Sequence, residues 1–175
     1  MRIAIIAALL VVSMAASQAT TLQKLTNDDM IRQSTSIVRA TVTGSYTAAH
    51  GQDFYTFYQL QIVETLKAGR IAIKEVAVPG GVVKGVRQLA PGAPTLEAGQ
   101  QYVIFLWTGR SGMTQVIGLS QGLFRVMQND LNETVLVRGP ADALMLDAQG
   151  RVVSDKGVTM KLSDLKAQIQ KAAGQ

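Results

Sequence analysis

The chain has 175 residues, no cysteine, a hydrophobic fraction of 47% and a formal net charge of +5. That length suits one domain with a sizeable core, and the missing thiols exclude a lipoprotein anchor, a disulfide framework and a thiolate metal site. Lysine and arginine are scattered rather than blocked, which describes a solvated surface and not a polyanion site.

Met1-Arg2 is a short positive start, Ile3–Ala16 an unbroken small-and-apolar run, and Ser17-Gln18-Ala19 a small-x-small site. This is the pattern of a cleaved secretory signal. A membrane anchor needs about 20 apolar residues with flanking charge, and the run stops short of both. The expectation is cleavage after Ala19, a single domain over 20–175 in the periplasm or medium, and no stable membrane insertion once the signal is gone.

Thr26-Asn27-Asp28-Asp29 precedes Met30-Ile31. A threonine N-cap with an acid three positions on predicts a capping box, which also accounts for both aspartates without a catalytic or metal role. The helix is short, because Ser34-Thr35-Ser36 ends it. From Ser36 the period changes to two, with Val38, Ala40 and Val42 on one side of a half-buried strand. Gly44–Asp53 reads as a polar hairpin loop holding the one histidine, His50, a surface residue with no partner cluster near it. Phe54–Leu66 is the next strand, with Phe54, Tyr58, Leu60 and Ile62 on one parity and Tyr55, Phe57, Gln59 and Gln61 on the other. Tyr55 and Phe57 have two readings, a stacking platform or cross-strand packing, the simpler one. After a turn at Lys67-Ala68-Gly69, a third strand is predicted over Ile71, Ile73, Val76 and Val78, with a bulge near Lys74-Glu75.

The stretch Val76–Leu106 organises the rest. Gly80 and Gly81 permit positive φ, while Pro79, Pro91 and Pro94 remove donors and interrupt a ladder. The connection that follows is unusually long for a compact domain. Two accounts of it stay open: it is used for binding, or its Val82, Val83, Val86 and Leu89 plug the core. Tyr102–Trp107 is apolar on both parities, which predicts a central strand. Gln115–Gly118, Gly122–Val126 and Thr134–Val137 follow as short strands between glycine turns. Ala143–Leu146 and Val152-Val153 pair across Asp147–Gly150, and Ser163 caps a closing helix, Asp164–Ala172, with Leu162, Leu165 and Ile169 on one stripe. Evenly spaced strands of this kind predict an all-β barrel or sandwich. Its barrel core is expected over about 36–137 and a C-terminal hairpin and helix over 143–173, with Val38, Val42, Leu60, Ile62, Val78, Ile104 and Leu106 sharing one core.

The run from Ile37 to about Val126 resembles the netrin-like domain of tissue inhibitors of metalloproteinases and, more closely, exported bacterial relatives associated with matrixin-type proteases. Ile37–Val42, Tyr58–Lys67, Val78–Gly81, Pro91–Pro94, Gly99–Leu106 and Gly118–Gly122 carry the likeness. It implies an OB-type five-stranded barrel with a short N-terminal helix and a C-terminal helix. In the animal inhibitors a mature N-terminal cysteine chelates the protease zinc and disulfides hold that end. Here the mature end would be Thr20-Thr21, and ordering it without a clamp would cost about 1–2 kcal/mol per residue.

For function, HExxH is absent and no acid pair lacks a structural account. We expect a non-enzymatic exported binding domain with no catalytic residues, cofactor or metal. It would hold an exported or envelope protein, a metalloprotease among the partners the resemblance suggests, and no nucleic acid. The expected contact residues are Gly80, Gly81, Lys84, Arg87, Pro91 and Pro94. The alternatives are a weak metalloprotease inhibitor or protease-associated accessory protein, and an enzyme of unknown class using Asp53, Glu64 or Glu97 with Tyr55 or Tyr102.

Overall fold

The computed structural model describes residues 21–174; the signal expected over 1–19 lies outside them. The fold is mainly β with two helices. Strand β1 (Thr21–Gln23) leads into helix α1 (Asn27–Gln33). The expected capping box is present: Asp29 N–H donates to Thr26 Oγ1 and Thr26 N–H to the Asp29 carboxylate, each at 3.1 Å. Such a cap contributes about 1 kcal/mol. At the other end Ser34 stops the helix, its hydroxyl donating to the Met30 carbonyl at 2.6 Å. Lys67 Nζ satisfies two more terminal carbonyls, those of Ile31 and Ser34.

β2 (Ser36–His50) and β3 (Asp53–Lys67) form one long antiparallel hairpin. The loop expected over Gly44–Asp53 is therefore strand almost throughout, and only Gly51 and Gln52 turn. Gly51 has φ of 66°, and positive φ at the first turn position alone is the type II′ pattern. The distal half of β2 carries no apolar alternation because it projects beyond the core, its residues mostly exposed. Cross-strand pairs hold it instead, with Tyr46 and Phe57 stacked at 5.1 Å. β4 (Glu75–Pro79) begins later than expected: Ile71 is exposed and outside the strand.

The expected open connection then contains a hairpin of its own, β5 (Gly81–Val83) and β6 (Val86–Gln88). β7 (Gln101–Thr108), β8 (Thr114–Val116), β9 (Leu123–Gln128) and β10 (Thr134–Arg138) follow. β11 (Leu144–Leu146) and β12 (Val152–Val153) pair antiparallel as expected. β13 (Val158–Lys161), a strand not foreseen, joins β10, and α2 (Leu162–Ala173) closes the chain. Ser163 is not its cap: the N-cap is Lys161, without a side-chain hydrogen bond, and Ser163 sits inside the first turn.

The largest sheet has eight strands in the order β13-β10-β9-β7-β2-β3-β4-β8, and β8 pairs again with β7. The pairings β7–β2–β3–β4–β8–β7 thus run round a circuit, antiparallel except for the parallel bridge Ala77↔Gln115. β7 separates two cores by parity. Tyr102, Ile104 and Leu106 join Val38, Val42, Leu60, Val76, Val78 and Val116. Val103 and Phe105 join Ile37, Phe124 and Leu136 with residues of α1 and α2, including Leu162, Leu165 and Ile169. The seven residues expected to share a core do so, Ile62 from a partly buried position at its margin.

Gln121, 2% exposed, ties the N-terminal segment to this body. Its Oε1 accepts from Leu25 N–H at 2.8 Å and its Nε2 donates to the Gln23 carbonyl at 2.9 Å. β1 meanwhile pairs in parallel with β11. Among the described residues no helix is long and apolar enough to cross a membrane.

Candidate binding site

The site is a bridge laid across the distal β2–β3 hairpin. Beyond Pro79, Gly80 donates its N–H to the Phe54 carbonyl at 2.8 Å, and its own carbonyl accepts from Thr56 Oγ1 at 2.9 Å. Gly81 then lies on Thr47 and Thr56, which face each other across the ribbon. A Cβ there would stand 2.9 Å from Thr47 Cγ2 and 3.0 Å from Thr56 Oγ1, and its φ is 148°. Glycine is required at this crossing. Thr47 Oγ1 donates to the Val82 carbonyl at 2.6 Å, and on the return Gln88 Oε1 accepts from Phe54 N–H. Lys84 and Gly85 turn the hairpin with φ of 50° and 79°, positive at both positions as a type I′ turn demands.

After β6, Ala93 N–H bonds to the Ala90 carbonyl around Pro91-Gly92, and buried Leu96 returns the chain to the first core. The connection is thus fixed at its two ends and free at its tip. Of the six expected contact residues, Gly80, Gly81, Arg87 and Pro94 line one cleft of about 280 Å³ together with Thr56 and Tyr58. Lys84, at the hairpin turn, and Pro91, in the following turn, lie outside it.

The core-plug account of this segment does not hold. Val82, Val86 and Leu89 are 50%, 60% and 71% exposed. Val83 is half-buried, and none of the four joins either core. The residues that fix the hairpin, Thr47, Thr56 and Gln88, were not among the expected contacts. Nothing in their local sequence signals the role, because it depends on the β2–β3 register.

Lys84 and Arg87 form no ion pair among the described residues. Glu97, Glu64, Glu133 and Asp155 are each taken by a cation, Arg125, Lys166, Lys161 and Arg138 respectively. The carboxylates weighed for catalysis are therefore engaged separately, apart from Asp53 at the ribbon tip. Asp53 and Glu64 occupy the same strand eleven residues apart, about 35 Å in an extended chain. Tyr102 is also occupied, its phenol accepting from Glu97 N–H at 3.1 Å. Tyr55 and Phe57 sit in a row with His50 and Tyr46 on the outer side of the ribbon, packed on one another. Among the described residues no group of three or more His, Asp or Glu is placed to hold a metal ion. No family model, curated protein or solved structure matches the chain.

Proposed function

We propose that this is a non-enzymatic exported binding domain that holds an acidic protein partner through the β5–β6 hairpin. The observation that carries the reading is the composition of the tip: three exposed apolar side chains interleaved with two cations that no acid of the described chain neutralises. Apolar contact area with a cationic rim favours capture of a complementary acidic surface and steers its approach. Preorganisation supports the same reading, since a hairpin pinned by Gly80, Gly81 and Gln88 forfeits little entropy on binding. The scaffold we propose is an OB-type five-stranded barrel. The closed circuit of β2, β3, β4, β8 and β7, with its single parallel contact between β4 and β8, favours that architecture over an open sheet. Export rests on the leader pattern of residues 1–19, and a metalloprotease is one partner the netrin-like resemblance suggests.

Serine at Val82, Val86 and Leu89 tests the function. The triple variant should fold like the parent and lose capture of the partner from envelope and culture fractions. Equal capture by parent and variant would remove the hairpin from the binding surface. Intact-mass measurement of the exported chain tests the leader: a mass that includes residues 1–19 would sink that part.

A further inference from the structure

The hairpin stands beside a bare strand edge. In a two-residue β-hairpin the residues flanking the turn exchange both hydrogen bonds, and bonded and non-bonded pairs then alternate. His50↔Asp53, Ala48↔Tyr55, Tyr46↔Phe57 and Gly44↔Gln59 are therefore the bonded pairs of the distal ribbon. The far side of β3 fits this assignment, because Phe54 and Leu60, of the other parity, direct backbone groups outward: Gly80 N–H reaches the Phe54 carbonyl, and Leu60 N–H reaches the Lys74 carbonyl. On β2 the outward residues are Ser45, Thr47 and Ala49. β7 covers β2 only from Ser36 to Thr41, and the last bonds on that side are made by Val42 with Gly99 and Gln100. The N–H and C=O groups of Ser45, Thr47 and Ala49 have no backbone partner among the described residues, and all three residues are exposed.

Edges of this kind are usually blunted by lysine, proline or a bulge. Gly44–His50 contains no lysine or proline and pairs with β3 in unbroken register. β5 runs near it, crossing from the Phe54 side of the ribbon over Gly81 to Thr47. Thr47, on that edge, holds the Val82 carbonyl two residues before the Lys84-Gly85 turn. We propose that the Ser45–Ala49 edge accepts an extended acidic segment of the partner as an added strand, passing beside Lys84 and Arg87. This deepens, and rests on, the reading of β5–β6 as the partner contact. Strand addition supplies affinity through main-chain bonds, and the two unpaired cations select the acidic segment. A second copy of this chain fits less well, since it would bring two Lys84-Arg87 sets together.

The test uses the full exported chain and a short fluorescein-labelled peptide alternating threonine with glutamate. On saturation, amide exchange at Ser45, Thr47 and Ala49 should slow about tenfold or more, while Tyr46 and Ala48, already bonded to β3, change little. Ser45→Pro and Ala49→Pro each delete an edge donor without touching the bonds to β3, and each should weaken peptide binding about tenfold. Protection elsewhere, or none in the unmodified chain, overturns the proposal whether or not the proline variants fold. Parent-like binding by the proline variants with loss in Lys84→Glu/Arg87→Glu removes the edge and leaves the hairpin reading in place. Absence of any binding that either set alters removes both. Sedimentation showing a dimer that the proline variants dissolve would assign the edge to a second copy and overturn the acidic-segment proposal.

Discussion

The two halves of the β2–β3 hairpin are built on opposite terms. Near Ser36–Val42 the ribbon lies against β7, and Val38, Ala40, Val42 and Leu60 are buried in the first core. Beyond Gly44 β3 stays paired with β4 as far as Tyr55, while β2 runs on with a free edge, mostly exposed side chains and a small hairpin laid across it. Burial dictates the first half; in the second Tyr58 of β3 still reaches the core, and pairing dictates the β2 side. The body should therefore carry the stability and the arm should carry the contacts.

Core truncation gives the largest contrast. Ile104→Ala and Leu60→Ala should each destabilise by about 2–5 kcal/mol, measured as the shift of the denaturant midpoint. Thr47→Ala in the arm should cost about 1 kcal/mol, the value of its bond to Val82. Equal losses at Leu60 and Thr47 would break the division between body and arm.

The second contrast is in acid. Asp155 is nearly buried, its side chain 4% exposed against Arg138. Chiefly the Arg138 guanidinium, and then the Ala141 and Gly157 amides, hold its carboxyl at about 2 rather than 3.8 despite the opposing effect of burial. A depressed carboxylate stabilises above its unfolded pKa and loses that contribution as pH falls towards the folded one. Asp155→Asn should therefore cost about 2 kcal/mol at neutral pH. It should also flatten the loss of stability that the parent shows between pH 4 and 2. An acid limb identical in both proteins would mean that the pair holds nothing.

How much of this the sequence disclosed follows the same boundary. The capping box at Thr26, the parity of Tyr102–Leu106 and the Leu162, Leu165, Ile169 stripe were legible because each local pattern is read against a buried surface. The distal ribbon was read as loop, since Gly44-Ser45-Tyr46-Thr47 has no buried face to impose alternation. β13 and the partnership of β1 with β11 left no sign, being short segments whose strand character comes wholly from a distant neighbour. At the candidate site Gly80 and Gly81 were identifiable as special backbone. That Val82, Val86 and Leu89 are exposed was not, because it follows from the crossing over Thr47 and Thr56.

That crossing yields the third test, at the joint between body and arm. Gly81→Ala sets a Cβ against both threonines at a positive φ, and should cost about 1–2 kcal/mol. The cost should fall on the hairpin, raising amide exchange at Val82, Val83 and Val86 more than at Ile104. Uniform acceleration across the body would show that the arm is not a separate unit.

The smallest expected change in stability comes from Lys84→Glu with Arg87→Glu, and it separates contact from structure most sharply. Neither cation has an intramolecular partner among the described residues, and exposed charges contribute about 0–1 kcal/mol even when paired. The double variant should therefore keep its denaturant midpoint within about 0.5 kcal/mol of the parent. Association with an acidic partner should behave differently. Reversing two charges at the approach face removes the attraction that speeds encounter, so the rate of association should fall and its dependence on salt should weaken or invert. Dissociation should change less, because the apolar contact of Val82, Val86 and Leu89 is untouched. If the variant associates at the parent's rate over a range of salt concentrations, the cations play no part in capture, and any binding by the arm must rest on its apolar tip and its strand edge.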